Sequence, residues 1–478
     1  MKTKSFPDII QGGMGVGVSL WPLARAVSLL GGIGVISGTL VEVVVARTLQ
    51  MGDPCGYIRW ALAHFPVKEV ADRVITEYYI PEGKASDVRF KDVPLFGMRP
   101  EKSLTDLVIC ASFAEVFLAK EGHHGLVGIN LLEKVQLPTT CALYGAMLAG
   151  VDCVFVGAGI PKQVPRVLDN LSRHDYAAYK IDVAGAVVGD DFRQCFDPKA
   201  FLNGRKLPRL RRPGFLPIVS SPSIIKRFFI DEPEMIQGFV VELPPAGGHN
   251  APPRGEKRFN ARDEPVYGER DAIDWEGCNA LGFPFWVGGG YAFPEKLAEA
   301  LFRGAQGIQV GSIFALCKES GMDETLKTIA REMAFRRELD IFTDPRASSS
   351  GFPFKVANLP CTLAFASVYN SRSRICDTGR LQTPYRKADG SVGFRCPAEN
   401  VAAFVAKGGS EEETRGRRCL CNGLLATAGF PQRQPSGYLE PPIVTLGSDV
   451  SFVSAFMEKD DDLYTTEDVM KYLRGNMR

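Results

Sequence analysis

Short apolar runs that break into glycine recur along this chain: Ile9-Ile10-Gln11-Gly12-Gly13-Met14-Gly15, then Phe285-Trp286-Val287-Gly288-Gly289-Gly290, then Ile308-Gln309-Val310-Gly311-Ser312. A fourth, Val240 to Leu243, leads through prolines to Ala246-Gly247-Gly248-His249. Strands that finish in glycine at one end of a sheet frame a shared ligand crevice. Between the first two strands, Ser19 is placed to cap a helix with Pro22 in its first turn. Leu20, Leu23, Ala24, Val27 and Leu30 follow at helical spacing until Gly31-Gly32. Strand, helix and strand in this succession make a βα unit, and parallel strands need such crossovers.

The unit repeats. Beyond Ile9 to Gln11, the strand candidates are Ile33 to Ile36, Val127 to Asn130, Cys153 to Val156, Lys180 to Val183, Leu216 to Val219, Gly238 to Leu243, Pro284 to Val287 and Ile308 to Val310. That is one more than a (β/α)8 barrel holds. Leu216 to Val219 is assigned as strand five. Lys180 to Val183, which leads into a polar, Arg-rich stretch, is assigned to an insertion. The expected architecture is α/β: a (β/α)8 TIM barrel over residues 1–320, with insertions at about 51–102 and 160–213. A C-terminal, cysteine-containing extension follows over 321–478. Tyr57 to His64 and Glu324 to Leu339 read as helices within the first insertion and the extension.

Composition excludes several function classes. Among 478 residues, 56 are basic and 55 acidic, so no long-range field recruits nucleic acid or anionic lipid. No apolar stretch reaches membrane-spanning length, and Pro7-Asp8 comes before any apolar signal core. Twelve cysteines in that context predict reduced thiols and a cytoplasmic location. The expected partner is a small-molecule substrate; homo-oligomer formation stays open.

Gly288-Gly289-Gly290 precedes Phe293-Pro294-Glu295, where proline suits a first helical turn with Leu297, Ala300 and Leu301 facing inward. Gly311-Ser312 ends the next strand. Loops after strands seven and eight form the usual phosphate site of such barrels. Tight strand-to-helix turns would use the same glycines; the three loops together favour a phosphate. A dinucleotide fingerprint is excluded on spacing, because Gly15-Val16-Gly17 is followed by Leu20 and Gly157-Ala158-Gly159 by Lys162. Neither a Walker loop nor a G-x-S-x-G elbow occurs.

In the order of Ile9 to Gly15, Ala246 to His249, Val287 to Gly290 and Gln309 to Ser312, the chain resembles the nitronate monooxygenase (2-nitropropane dioxygenase) family. These are FMN-binding (β/α)8 barrels related to flavin-dependent enoyl reductases. The resemblance spans about Pro7 to Ser320. It implies that Gly12, Gly13, Met14 and Gly15 lie against the flavin ring, together with Asn130 from strand three. It also implies that Gly247 and Gly248 frame the site, that Gly289, Gly290, Gly311 and Ser312 bind the FMN phosphate, and that His249 is the catalytic base. An imidazole of near-neutral pKa can take a proton from a carbon acid or steer an anionic nitronate. The implied activity is oxidation of alkyl nitronates with O2. The chain departs from the family where Glu242-Leu243-Pro244-Pro245 replaces Gln-Gly-x-Glu, and where Asn250 to Gly255 replaces a shorter tail. The alternative on the same barrel is an NAD(P)H-dependent enoyl-thioester or quinone reductase. A non-catalytic docking subunit is the reading from another class, against which the intact glycine loops and His249 argue.

Cys376, Cys396, Cys419 and Cys421 are spaced C-x19-C-x22-C-x-C. They are metal candidates, for zinc or an iron-sulfur cluster, though without the close C-x-x-C pairs of zinc knuckles. Ordinary reduced cysteines are the plainer expectation. Thr343 to Lys355 is placed either over the flavin mouth or as a linker. Arg205, Lys206, Arg209, Arg211 and Arg212 read as a solvated run, and His123-His124, His64 and His174 support no functional role.

Overall fold

Because successive strand residues face opposite sides, Ile10, Val35, Phe155, Leu216, Val240 and Trp286 gather in one buried cluster while Ile9, Ile129, Val154 and Phe239 join another. In the computed structural model, which describes residues 6–460 and 462–476, the first set fills a closed barrel of eight parallel strands. Residues 1–5, part of the N-terminal reading above, lie outside it. The strands are β1 (Ile9–Gln11), β2 (Ile33–Ser37), β3 (Leu126–Leu132), β4 (Cys153–Gly157), β5 (Gly214–Val219), β6 (Phe239–Glu242), β7 (Phe285–Gly288) and β8 (Gly307–Val310). Each pairs with its neighbours in sequence, and β8 closes on β1 with Ile9 opposite Ile308 and Gln11 opposite Val310. The chain has the expected (β/α)8 fold.

The ninth run is no barrel strand. Ala177–Lys180 pairs antiparallel with Arg193–Phe196 in an excursion between β4 and β5, and its strand ends where the sequence run begins. That excursion follows the helix Val164–Ser172, which occupies the crossover position after β4. Between β2 and β3, helices Tyr57–Ala63 and Lys68–Tyr78 precede the long buried helix Lys102–Lys120.

Three local expectations change. Ser19 does not cap the helix Trp21–Leu29: Leu20 is the N-cap, without a side-chain cap bond, and the Ser19 hydroxyl accepts from Met14 N at 2.8 Å. Ser19 therefore fastens the first glycine loop. Leu301 is 45% exposed, so the helix Pro294–Phe302 buries Leu297 and Ala300 alone of the three. The basic run is partly tied down, with Arg205 to Glu69, Arg211 to Asp152 and Arg212 to Asp169. Among the described residues, no helix is long and apolar enough to cross a membrane.

The extension packs on the barrel through a shared core. Leu425, Val444, Leu446, Phe452 and Met470 belong to the same apolar cluster as Val16 and Val44. Two hairpins, Ile341–Asp344 with Phe354–Ala357 and Thr383–Arg386 with Val392–Arg395, and the helix Leu420–Thr427 carry it. One buried ion pair fastens it to the barrel: Arg380 Nε lies 2.7 Å from Glu42 Oε1, each side chain 1% exposed. Removing one member strands the other charge. Arg380→Ala is expected to cost about 3–5 kcal/mol, read as a lower denaturant midpoint at unchanged native spectrum; a shift near zero would show that the pair is dispensable.

Candidate functional site

A cavity opens at the C-terminal ends of the strands, where β-to-α loops of such barrels carry their chemistry. Every residue of the four glycine loops singled out above, together with Asn130 and His249, lines it. The first loop approaches β3 so closely that a Cβ on Gly13 would sit 2.3 Å from that of Asn130. Asn130 itself is 8% exposed, and its Oδ1 has no hydrogen-bond partner within the chain. A buried acceptor left open is costly unless a ligand donates to it. Across the cavity, Gly289 and Gly290 both hold positive φ, 92° and 79°, so their turn is closed to ordinary residues. It feeds the helix Pro294–Phe302, in whose first turn Lys296 N and Leu297 N are bonded to Phe293 O and the Glu295 N–H is left for an anion. Ser312 is less free than expected, because its hydroxyl accepts from Gly447 N at 2.7 Å.

His249 sits where β6 has ended, on a segment held from both sides by the extension. Lys355 N donates to Gly248 O and Asn250 N to Pro353 O, each at 2.9 Å, while Gly248 N donates to Thr445 Oγ1 at 2.8 Å. The imidazole Nε2 lies 2.7 Å from Ser348 Oγ, and the ring meets Phe354 edge-on at 4.9 Å. The segment Thr343 to Lys355 therefore does reach the cavity. Burial lowers His249 to about 4 rather than leaving it near neutral. At ordinary pH it is an uncharged hydrogen-bonding group, not a half-protonated base.

Two contributors were not singled out from sequence as site residues, and a third, Glu242, belongs to the Glu242 to Pro245 segment that the family resemblance places at the substrate. Glu242, at the end of β6, lines the cavity, and burial raises its carboxyl to about 7. Gln309 lines it from β8, against Gly12. The outer wall comes from the extension, including Leu381, Leu420, Leu424 and Phe452. Gln309 lies inside a quoted motif, and Glu242 marked a departure from the family pattern; the wall residues carry no local signal. Three further histidines make structural contacts: His174 bonds Tyr144 Oη, His64 stacks on Phe117, and His123 bonds Ala119 O.

No family model matches the chain, and no curated protein matches it. Among solved structures, FabK from Thermotoga maritima is similar with a TM-score of 0.47 at 15% identity, over 98% of this chain and 92% of FabK. The enoyl reductase domain of MlnA, from the macrolactin biosynthesis cluster of Bacillus amyloliquefaciens, gives 0.47 at 12% identity over 98% of this chain and 93% of that domain. A nitroalkane oxidase from Streptomyces ansochromogenes gives 0.37 at 14% identity over 73% and 76%.

Proposed function

We propose that this chain is an FMN-dependent oxidoreductase whose leading activity is the oxidation of alkyl nitronates. The observation that carries the reading is a glycine-lined cradle paired with one buried, unsatisfied acceptor, Asn130 Oδ1. The edge of a flavin ring offers an N–H to such an acceptor, and its phosphate suits the Gly289-Gly290 turn with the helix behind it. Bound there, FMN would supply the electron chemistry. The chain supplies position. Gly12 to Gly15 would let a flat ring lie against backbone, Asn130 would orient it, and the apolar wall from the extension would keep water off. Ser348 holds Nε2 of His249, which leaves Nδ1 for a nitronate oxygen; an uncharged imidazole positions that anion without a proton transfer.

One observation favours the second reading, reduction of an enoyl thioester or quinone with NAD(P)H. That reaction needs a proton donor, and Glu242 is a carboxyl kept neutral up to about 7. The ionisation separates the two. As pH rises through about 7, a charged Glu242 repels an anionic nitronate, so KM is expected to climb while kcat holds. For a reductase the same ionisation removes the donor, and kcat falls instead. Glu242→Gln is expected to flatten the nitronate profile with turnover kept; a variant dead towards nitronate would sink that assignment. The direct experiment is anaerobic absorbance of the flavin-loaded protein. Bleaching by propionate 3-nitronate alone supports nitronate oxidation, bleaching by NADH or NADPH alone supports the reductase, and failure to bind FMN overturns both.

A further inference from the structure

Four cysteines scattered over the extension converge on a second, smaller cavity. Cys376 follows the helix Ala366–Ser371, Cys396 directly follows the strand Val392–Arg395, and Cys419 and Cys421 flank the first residue of the helix Leu420–Thr427. All four line one cavity, together with Gln382 and Arg418 among others. Cys376 and Cys396 are within hydrogen-bonding reach of each other, and Cys419 and Cys421 are close enough for charge on one thiol to disfavour charge on the next. None is joined in a disulfide. Cys396, Cys419 and Cys421 are buried, at 6–7% exposure.

Burial raises the Cys419 thiol to about 11 and raises Cys421 further, while N–H groups and cations around the cavity act in the opposite sense on the sulfurs. Each thiol has a donor directed at it. Gln382 Nε2 lies 3.8 Å from Cys376 Sγ, the Ala398 N–H and the Ser349 side chain reach Cys396, the Asn422 N–H reaches Cys419, and the N–H groups of Arg380 and Leu381 reach Cys421. Two paired arginines stand close by: Arg418, bound to Asp344, lines the cavity, and Arg372, bound to Glu440, acts on Cys419. Buried cysteines that serve only as small hydrophobes need neither donors nor cations. A single ion is excluded by the spacing, since among the described residues no three His, Cys, Asp or Glu side chains close on a point that could hold one. Mononuclear zinc needs four ligands at about 2.0–2.3 Å from one centre. Thiols arranged around a cavity, with N–H groups aimed at the sulfurs, match the ligation of a polynuclear centre instead.

We propose that Cys376, Cys396, Cys419 and Cys421 are the ligands of an iron-sulfur cluster seated in this cavity, next to the flavin site. Leu381, Leu420 and Cys421 line both cavities, so a single layer of side chains separates the two. The relay that follows rests on the FMN reading, whereas the ligand assignment does not. A cluster held there would take electrons one at a time across the layer of Leu381, Leu420 and Cys421 and pass them to a one-electron protein carrier, the accompanying protons going to solvent.

The test uses the full chain, purified without oxygen and reconstituted with ferrous iron and sulfide, with and without FMN. Iron, zinc, acid-labile sulfide and flavin are measured per chain, and low-temperature electron paramagnetic resonance is recorded after dithionite reduction. Iron and labile sulfide in matched amounts are expected, with a reduced-cluster signal that Cys396→Ala loses while Cys55→Ala, at an exposed thiol elsewhere, keeps it. The wild-type iron and sulfide content decides the matter even where Cys396→Ala does not fold. Folded wild-type protein that takes up zinc without sulfide, or neither metal, overturns the ligand assignment. A cluster whose signal is unchanged by nitronate reduction of the FMN-loaded protein overturns the relay alone. Iron and sulfide without flavin binding would overturn the functional reading and leave the cluster standing; flavin without iron and sulfide would do the reverse.

Discussion

Gly289→Ala is expected to yield a folded barrel that no longer retains FMN through gel filtration. The position holds φ at 92°, and an added Cβ would lie 2.6 Å from Leu243 O and 3.0 Å from Ala246 N. The neighbouring loop cannot retreat freely, because Leu243 N is bonded to Gly288 O at 2.9 Å. A left-handed non-glycine residue costs about 1–2 kcal/mol by itself, and the clash displaces the turn proposed to hold the phosphate. Together these predict a loss of FMN affinity of about a hundredfold or more. Flavin fluorescence titration measures it, with circular dichroism as the check on folding. Affinity within a few-fold of wild type would remove the Gly289-Gly290 turn from the phosphate site.

His249→Ala is expected to keep FMN and lose turnover. The ring's partners are Phe354 and Ser348 rather than the Gly289-Gly290 turn, so the flavin is expected to bind as before. Loss of one preorganised hydrogen-bonding group at a reacting centre typically costs about 10²–10³ in kcat. Because burial holds His249 at about 4, the wild-type rate should show no inflection at the ordinary histidine pKa and should fall only as pH approaches about 4. Stopped-flow reduction of the flavin across that range reads both effects. Unchanged kcat in His249→Ala would take the residue out of the mechanism, and a limb near the ordinary value would show that substrate or flavin re-solvates the ring.

The barrel was legible because each of its strands is a contiguous apolar run, and several end in glycine where the chain must turn beside a ligand. Pairing then follows from order, since each strand sits beside its sequence neighbour. The ninth run misled only in its limits: the excursion strand Ala177–Lys180 buries Ala177 and Tyr179 alternately, but Ala177-Ala178-Tyr179-Lys180 is too short and too low in apolar contrast to show it. The glycine loops and His249 were legible as a constellation, but the electrostatics of His249 were not, because its depressed pKa comes from burial under Phe354 and neighbouring segments distant in sequence. The extension's contribution was the least visible. Leu420, Leu424 and Phe452 reach the site by long-range packing, which leaves no period in the chain. The four cysteines fall in the same class, for their spacing says nothing of the hairpin and the two helices that bring them to one cavity.

The roof over the strand ends is made by residues that belong to no βα unit. Barrel strands answer to closure, in which every register is tied to the next around the ring, so change there is penalised on both sides. The stretches 343–355 and 420–452 are tied to the barrel by packing and a few hydrogen bonds rather than by strand register. Mutational drift at their cavity-facing positions, such as Leu424 and Phe452, can therefore retune which molecules enter without breaking the register of the ring. In a lineage built on this plan, related chains would keep the scaffold legible while their chemistry diverges through the cover, and catalytic repertoire would be inherited separately from architecture.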